Sequence, residues 1–347
     1  MSDSLDKFYC NINTLRSFLE KIRDLKNNYI LFHTDCDGIC SLRLLSDLIK
    51  KTNSRESFFM FPKKGENAYS DETKCQIQNS DAESLSVLDL KIDDMGISDK
   101  IPVLYIDHHN IIKKPADSFI IWSDNSLNKN TSSLLYETAS LITDIKDLRW
   151  LALLGLSSDF GDKTAFDIFS EEKKNIHKKD LDTARSLINS ASRHKDYDIV
   201  TAVNLVNRSN KITDIISGIF PETQILDKYR NENNLEFHKL MHIRPKFMWK
   251  VALIEIESAF NIQGHLAQAW FRTTKEDLLI VANSGYIKDR VYFVIKTESA
   301  IDVLKFIDSV KPKECNFTFA FGSGSSAGGW LSSDLWKIMK INMKFKS

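Results

Sequence analysis

Apolar positions in the first third of the chain switch between two periods. Over residues 5–27, Leu5, Phe8, Ile12, Leu15, Phe18, Leu19 and Ile22 recur at helical spacing among charged residues, which predicts an amphipathic helix. Apolar runs of β type follow at 29–32, 57–61, 85–88, 103–106 and 119–122, with helix-like stretches such as 42–50 between several of them. Strands that are apolar throughout and alternate with helices predict an α/β fold, a parallel sheet covered by helices on both faces. From about residue 247 the pattern changes. Runs at 251–256, 278–282 and 291–296, with Gly264-His265-Leu266-Ala267 opening a helix between the first two, predict a second, smaller α/β unit.

The bulk numbers narrow the class. The chain has 347 residues, 42% hydrophobic and 27% charged, ordinary values for a globular protein large enough for two domains. Lysine plus arginine and aspartate plus glutamate both number 47, so any nucleic-acid contact must come from a local patch. The apolar stretch at 150–156 is too short to span a bilayer. Met1-Ser2-Asp3-Ser4 lacks the character of a signal peptide. A cytoplasmic protein without a membrane segment is expected. Five cysteines, Cys10, Cys36, Cys40, Cys75 and Cys315, form no CxxC pair, which argues against a disulfide framework and against structural zinc.

Candidate chemistry begins at the first apolar run, which His33, Asp35 and Asp37 follow at every second position, before Gly38. On extended chain this spacing puts three side chains on one side. Two readings are open: acids at turn and N-cap positions, or hard ligands for divalent cations at a strand-to-helix turn. Later elements carry similar residues. Asp89 follows 85–88, Asp107-His108-His109-Asn110 follow 103–106, and Asp159 closes the helical run 150–156. Parallel sheets bind ligands outside the carboxyl ends of their strands. Carboxylates about 4 Å apart repel by roughly 4 kcal/mol at an effective dielectric near 20, so a gathered set takes up protons, spreads apart or holds cations. Carboxylates and imidazoles without cysteine suit Mn²⁺ or Mg²⁺ better than zinc. Two such ions about 3.5–4 Å apart form the usual clamp for phosphodiester hydrolysis.

In order, His33-x-Asp35-x-Asp37-Gly38, Asp89, Asp107-His108-His109 and Asp159 resemble the four motifs of the DHH phosphoesterase superfamily. The resemblance implies two divalent cations, Mn²⁺ preferred and Mg²⁺ as a substitute. One would be held by His33, Asp35 and Asp89, the other by Asp37, Asp89, His108 and Asp159, with Asp89 bridging. Asp107, His108 and His109 would be catalytic, His109 facing the substrate phosphate. Asn189-Ser190-Ala191-Ser192-Arg193 looks like the segment of RecJ-type single-strand exonucleases whose arginine contacts a phosphate, and Arg193 is the matching residue. Taken alone, Arg193 is also an ordinary exposed arginine at a linker helix. Phe321-Gly322-Ser323-Gly324-Ser325-Ser326-Ala327-Gly328-Gly329 resembles the glycine-rich GGHxxAGG signature of the domain that follows DHH. Small residues there let backbone N–H groups approach a phosphate, so Gly322, Ser323, Gly324, Ser325, Gly328 and Gly329 are implied substrate contacts. The chain departs from the pattern at Gly324, where the family's histidine falls, and at Lys296, where arginine is frequent. A point charge replaces a bidentate fork, which implies weaker or altered nucleotide binding.

The resemblance divides the chain into a DHH domain at 1–165, a helical linker with a partner-docking insertion at 166–246, and a DHHA1-like substrate domain at 247–347. Residues 207–247 read as irregular and polar around Asn231-Glu232-Asn233-Asn234. They are either a docking surface for a GINS-type replication complex, as among archaeal RecJ-like proteins, or a plain connector. The implied function is a metal-dependent exonuclease on single-stranded DNA, or RNA, in replication and repair. Two alternatives stay open. One is a replication-fork scaffold like the eukaryotic helicase subunit descended from RecJ, for which Gly324 speaks. The other is a phosphodiesterase for short oligonucleotides or cyclic dinucleotides, against which residues 189–193 speak. Basic runs at Lys173-Lys174, Lys178-Lys179, 244–250 and 337–346 are either solvated faces or, where aromatics interleave as in Lys246-Phe247-Met248-Trp249-Lys250, platforms for unpaired bases.

Overall fold

The computed structural model describes residues 2–92, 96–109, 111, 114–123, 128–315, 319–322 and 324–345, with side chains from residue 11 onward except that of Phe321. Asn110 and Ser323 lie outside the described residues. The chain forms two compact units: Met1–Ser192 with Asp198–Asp227, and Arg193–Tyr197 with Lys228–Ser347.

The first unit runs α1 (Ser2–Lys21), β1 (Asn28–Phe32), α2 (Cys36–Asn53), β2 (Ser57–Met60), α3 (Asp71–Gln78), β3 (Ser84–Leu88), β4 (Val103–Asp107), β5 (Phe119–Trp122), α4 (Thr131–Ala139), α5 (Arg149–Ile168), α6 (Lys178–Arg193), α7 (Ile199–Arg208), α8 (Ile212–Ile216) and the start of α9 (Pro221–Leu240). The five apolar runs are the five strands of one sheet, in the order β2-β1-β3-β4-β5. Every neighbouring pair is parallel. Burial explains why these runs lack alternation: β3 and β4 are buried along their whole length, while the outer strand β2 exposes Phe58 and Phe59. One face packs Leu31, Leu85, Val87 and Tyr105 with Met60 and Ile77. Leu15 and Phe18 of α1, Ile22 just past its end, and Leu44, Leu45 and Leu48 of α2 are fully buried, and Phe18 meets Phe119 edge-on at 5.4 Å.

Strand β1 pairs with β2 on one side and β3 on the other, so the strand order reverses there. A crevice at such a reversal is where open parallel sheets bind ligands. The ladders continue past the strand ends. The His33 N–H donates to the Leu88 carbonyl at 3.1 Å, and the Asp89 N–H to the Ile106 carbonyl at 3.0 Å. The loops after β1, β3 and β4 are thereby held at one edge.

Residues 166–246 hold the end of α5, helices α6 to α9 and the first residue of the strand at Lys246–Met248, and are divided between the two units. The irregular stretch expected around 231–234 is a correction: α9 runs unbroken through it. Pro221 opens the helix at a position that lacks an N–H partner in any case, and Glu222 lies in its first turn. Leu226, Asn233 and Leu240 are buried, and Glu232 accepts from the His194 ring at 2.9 Å. These anchors override the weak helix propensity of asparagine.

The second unit holds β6 (Lys246–Met248), β7 (Val251–Ile256), α10 (Gln263–Phe271), β8 (Leu278–Ile287), β9 (Arg290–Lys296), α11 (Val303–Val310), β10 (Ala320–Gly322), β11 (Ser326–Ser332) and α12 (Ser333–Asn342). Its mixed sheet is ordered β10-β11-β9-β8-β7-β6, with β7 and β8 parallel. One core face centres on Ile280, Phe293, Ile307 and Trp336, the other on Ile254, Leu266 and Val281.

Candidate metal centre

The turn after β1 does not stay extended. Asp35 is the N-cap of α2, its Oδ1 accepting from the Gly38 N–H at 3.0 Å. Asp37 already lies in the first helical turn, so it reaches the site from the helix and not by strand alternation. An added Cβ at Gly38 would stand 1.9 Å from the His33 carbonyl oxygen, so the turn closes only on glycine. Capping and ligand presentation coexist, since Asp35 Oδ2 remains for His33, whose Nδ1 is 3.0 Å away.

Asp89 is the hub. It follows β3 with φ 60, a left-handed conformation that Asp tolerates better than most residues. Its Oδ2 lies 3.4 Å from His33 Nδ1 and its Oδ1 lies 3.3 Å from His108 Nε2. The two oxygens of one carboxylate thus face two separate groups of donors. His33, Asp35 and Asp89 form one group, and Asp37, His108 and Asp159 another. Asp89, Asp107, His108 and His109 form a third; within each, the ligating atoms lie within 4.8 Å of one another. His108 Nε2 is also 3.9 Å from Asp159 Oδ2. Asp159 projects from α5, which continues past it and kinks at Gly161, φ 78.

Asp107 organises the triplet after β4. Its Oδ1 accepts from the backbone N–H groups of His108 at 2.6 Å and His109 at 2.9 Å, and lies 2.7 Å from His109 Nδ1. Its Oδ2 is buried with no hydrogen-bond partner among the described residues.

Charges in this crevice are unbalanced. Burial and the charges of Asp89, Asp159 and Asp35 push the Asp37 carboxyl well up. Burial, Asp35 and Asp89 push Asp159 up to about 7. Burial opposes the imidazolium of His108, yet hydrogen bonding to Asp89 and its charge, with Asp159 and Asp107, push it up to about 9. His33 and His109 rise against burial in the same way, through Asp35 and Asp107 respectively. Burial raises Asp89, but hydrogen bonds from His108 and His33 outweigh it and hold the carboxyl below its usual range. Carboxylates that retain protons, and a buried oxygen without a donor, are what a cluster shows when its counter-charge is a cation. The donor set fits hard divalent ions.

Residues that sequence reasoning passed over complete the cage. Asn130 caps α4 in a capping box with Ser133. The Thr131 and Ser132 N–H groups donate to Asp37 Oδ2 and Oδ1 at 3.0 and 2.9 Å. Asn130 Nδ2 donates to Asp159 Oδ2 at 3.0 Å, and Thr131 Oγ1 to Asp89 Oδ1 at 3.3 Å. Asn189, within the segment singled out for Arg193, accepts from the Cys36 N–H at 2.8 Å through its buried side chain, and so steadies the β1–α2 turn. The signal for α4 was present as Asn130-Thr131-Ser132-Ser133 before Leu134-Leu135, a cap pattern.

The remaining expected site residues lie in the second unit. Arg193 ends α6, its carbonyl accepting from the Asn261 N–H at 2.8 Å. Lys296 ends β9, half-buried, and burial lowers its pKa. It stands opposite Ser326 in the ladder, beside Ser325, whose carbonyl accepts from the Thr297 N–H. The glycine-rich stretch is a hairpin and not a continuous loop. Gly324 and Ser325 are in its turn, Gly322 ends β10, and Gly328 and Gly329 lie inside β11. A Cβ on Gly329 would stand 1.9 Å from the Phe319 carbonyl oxygen, so strand packing demands that glycine. Among the described residues, a Cβ at Gly324 would meet nothing nearer than Asp302 at 3.9 Å, so none of them demands the absence of a side chain there.

No protein-family model and no curated protein matches this sequence. Among solved structures the chain has the DHH-domain fold related to that of RecJ. The exonuclease RecJ bound to manganese superposes with a TM-score of 0.69 at 13% identity, over 96% of this chain and 93% of that one. RecJ from Thermus thermophilus in complex with Mn²⁺ gives 0.71 at 13% identity, over 96% of this chain but 54% of that one, so the chain spans about half its length. CDC45 from Entamoeba histolytica gives 0.58 at 10% identity, over 97% and 98%. Among the described residues no helix is long and apolar enough to cross a membrane.

Proposed function

We infer that this protein is a metal-dependent phosphodiesterase that degrades single-stranded nucleic acid, DNA first and RNA second, in replication or repair. The observation that carries the reading is Asp89, one carboxylate whose two oxygens address two donor groups at the carboxyl edge of the sheet. In this reading His33, Asp35 and Asp89 hold one divalent cation, and Asp37, Asp89, His108 and Asp159 hold a second, with Mn²⁺ preferred over Mg²⁺. When bound, the two ions supply Lewis acidity and a nucleophile at neutral pH. Asp107 orients the triplet through its three contacts and holds a proton on His109, which donates to a phosphate oxygen of the substrate. Arg193, Lys296 and the backbone of the 322–329 hairpin bind the strand. A GINS-type complex is the partner this reading would place at α9.

Digestion of end-labelled single strands in Mn²⁺ tests it. Asp35→Ala and His108→Ala each lower the rate at least a hundredfold, and a chelator abolishes it. Undiminished hydrolysis in both variants rules out this centre.

A further inference from the structure

The turn joining β6 to β7 presents aromatic rings to water where the fold has no use for them. Met248 pairs with Val251, so Trp249 and Lys250 form a two-residue hairpin turn. Trp249 sits at φ 55, in the left-handed region that Asn, Asp or Gly fills without strain and a bulky side chain rarely enters. The Trp249 ring recovers little by burial, being 85% exposed, and Phe247 beside it is 58% exposed. Strain with little compensating burial points to a task outside the fold.

We propose that this hairpin is a docking platform for unpaired bases of single-stranded nucleic acid, with Trp249 and Phe247 as stacking surfaces and Arg244, Lys246 and Lys250 as phosphate contacts. The proposal rests on the functional reading above and deepens it by assigning a second point of strand contact. Among the described strands, β6 is the outermost of its sheet and pairs with β7 alone. Lys246 contacts Glu255, which is shared with Lys340, and Lys250 contacts Asp277, with Glu276 nearby. Arg244 is exposed and has no ion-pair partner among the described residues. Four cations therefore face three carboxylates, a small positive excess. Both hairpin lysines are mostly exposed and can exchange their surface partners for phosphates. Exposed aromatic faces between exposed cations match a chain of flat bases and charged linkers, where stacking tolerates any sequence. A protein-binding hot spot needs instead a contiguous, desolvated apolar patch.

The experiment is anisotropy of a fluorescein-labelled oligothymidylate in EDTA, where hydrolysis is off. Trp249→Ala and Phe247→Ala each weaken binding roughly fivefold to a hundredfold, while Trp249→Tyr keeps most of it. Arg244→Ser lowers the slope of log affinity against log salt by about 0.7. Leu235→Ala, an exposed apolar residue on α9, leaves binding unchanged, and equal melting temperatures show that the variants fold. Wild-type affinity in both alanine variants overturns the platform and leaves the functional reading standing. A wild-type protein that binds no oligonucleotide also overturns the platform, and Mn²⁺-dependent cleavage of a dinucleotide then shows that the chemistry survives it.

Discussion

Gly155 shows how little room the ligand cage leaves. It lies on α5, and a Cβ there would stand 2.1 Å from Ser132 Oγ and 2.8 Å from Asp37 Oδ1. Gly155→Ala therefore forces apart α5, the start of α4 and a carboxylate with both oxygens already engaged. The expected cost is about 1–3 kcal/mol of stability, as for overpacking elsewhere, together with weaker Mn²⁺ binding. Thermal melting and titration calorimetry check both, and adding Ser132→Ala recovers part of the loss by removing the nearest clashing atom. His33, Asp89 and Asp159 were legible as candidates because each sits at the end of a local apolar run. The role of Gly155 was not legible, since a glycine in an apolar helix acquires meaning only from what packs against it.

At the level of elements, strands β1, β3 and β4 were readable because burial on both faces leaves a mostly apolar run. Helix α4 carries a cap pattern at Asn130–Ser133, but nothing local marks it as part of the site. Its backbone reaches Asp37 across 94 positions of sequence, and no local window contains that contact. Asn130→Ala removes both the cap and the bond to Asp159. We expect about 1 kcal/mol lost from the cap and a several-fold weaker Mn²⁺ affinity, whereas Ser140→Ala at the exposed far end of α4 changes neither. An Mn²⁺ titration of the two variants separates a local cap from a ligand support. Helix α9 was misread because four consecutive polar residues resemble a loop, while His194, Leu226 and Leu240, which anchor it, lie outside that window.

For the whole molecule, the crevice ties stability to pH and to metal. His108 is pushed up to about 9 and Asp159 to about 7, against about 6.5 and 3.9 in an unfolded chain. Both bind protons more tightly when folded. Metal-free stability from Asp159 is therefore present below about pH 4 and lost towards 7, and that from His108 is present below about 6.5 and lost towards 9. Cations bind the deprotonated ligands, so the rise in melting temperature on adding Mn²⁺ grows with pH. Scans in EDTA and in Mn²⁺ at about pH 5.5 and 8.5 measure it, and equal rises at the two pH values would contradict it. The donors, from His33 to Asp159, converge only after β1, β3, β4, α2, α4 and α5 have come together. Such a distant assembly forms late in folding, because long loops must close before their contacts reward them. A cation has no formed site in the transition state, so it acts as a lock on the finished molecule. Mn²⁺ should lower the unfolding rate and leave the refolding rate nearly unchanged, a split that stopped-flow traces with and without chelator resolve directly.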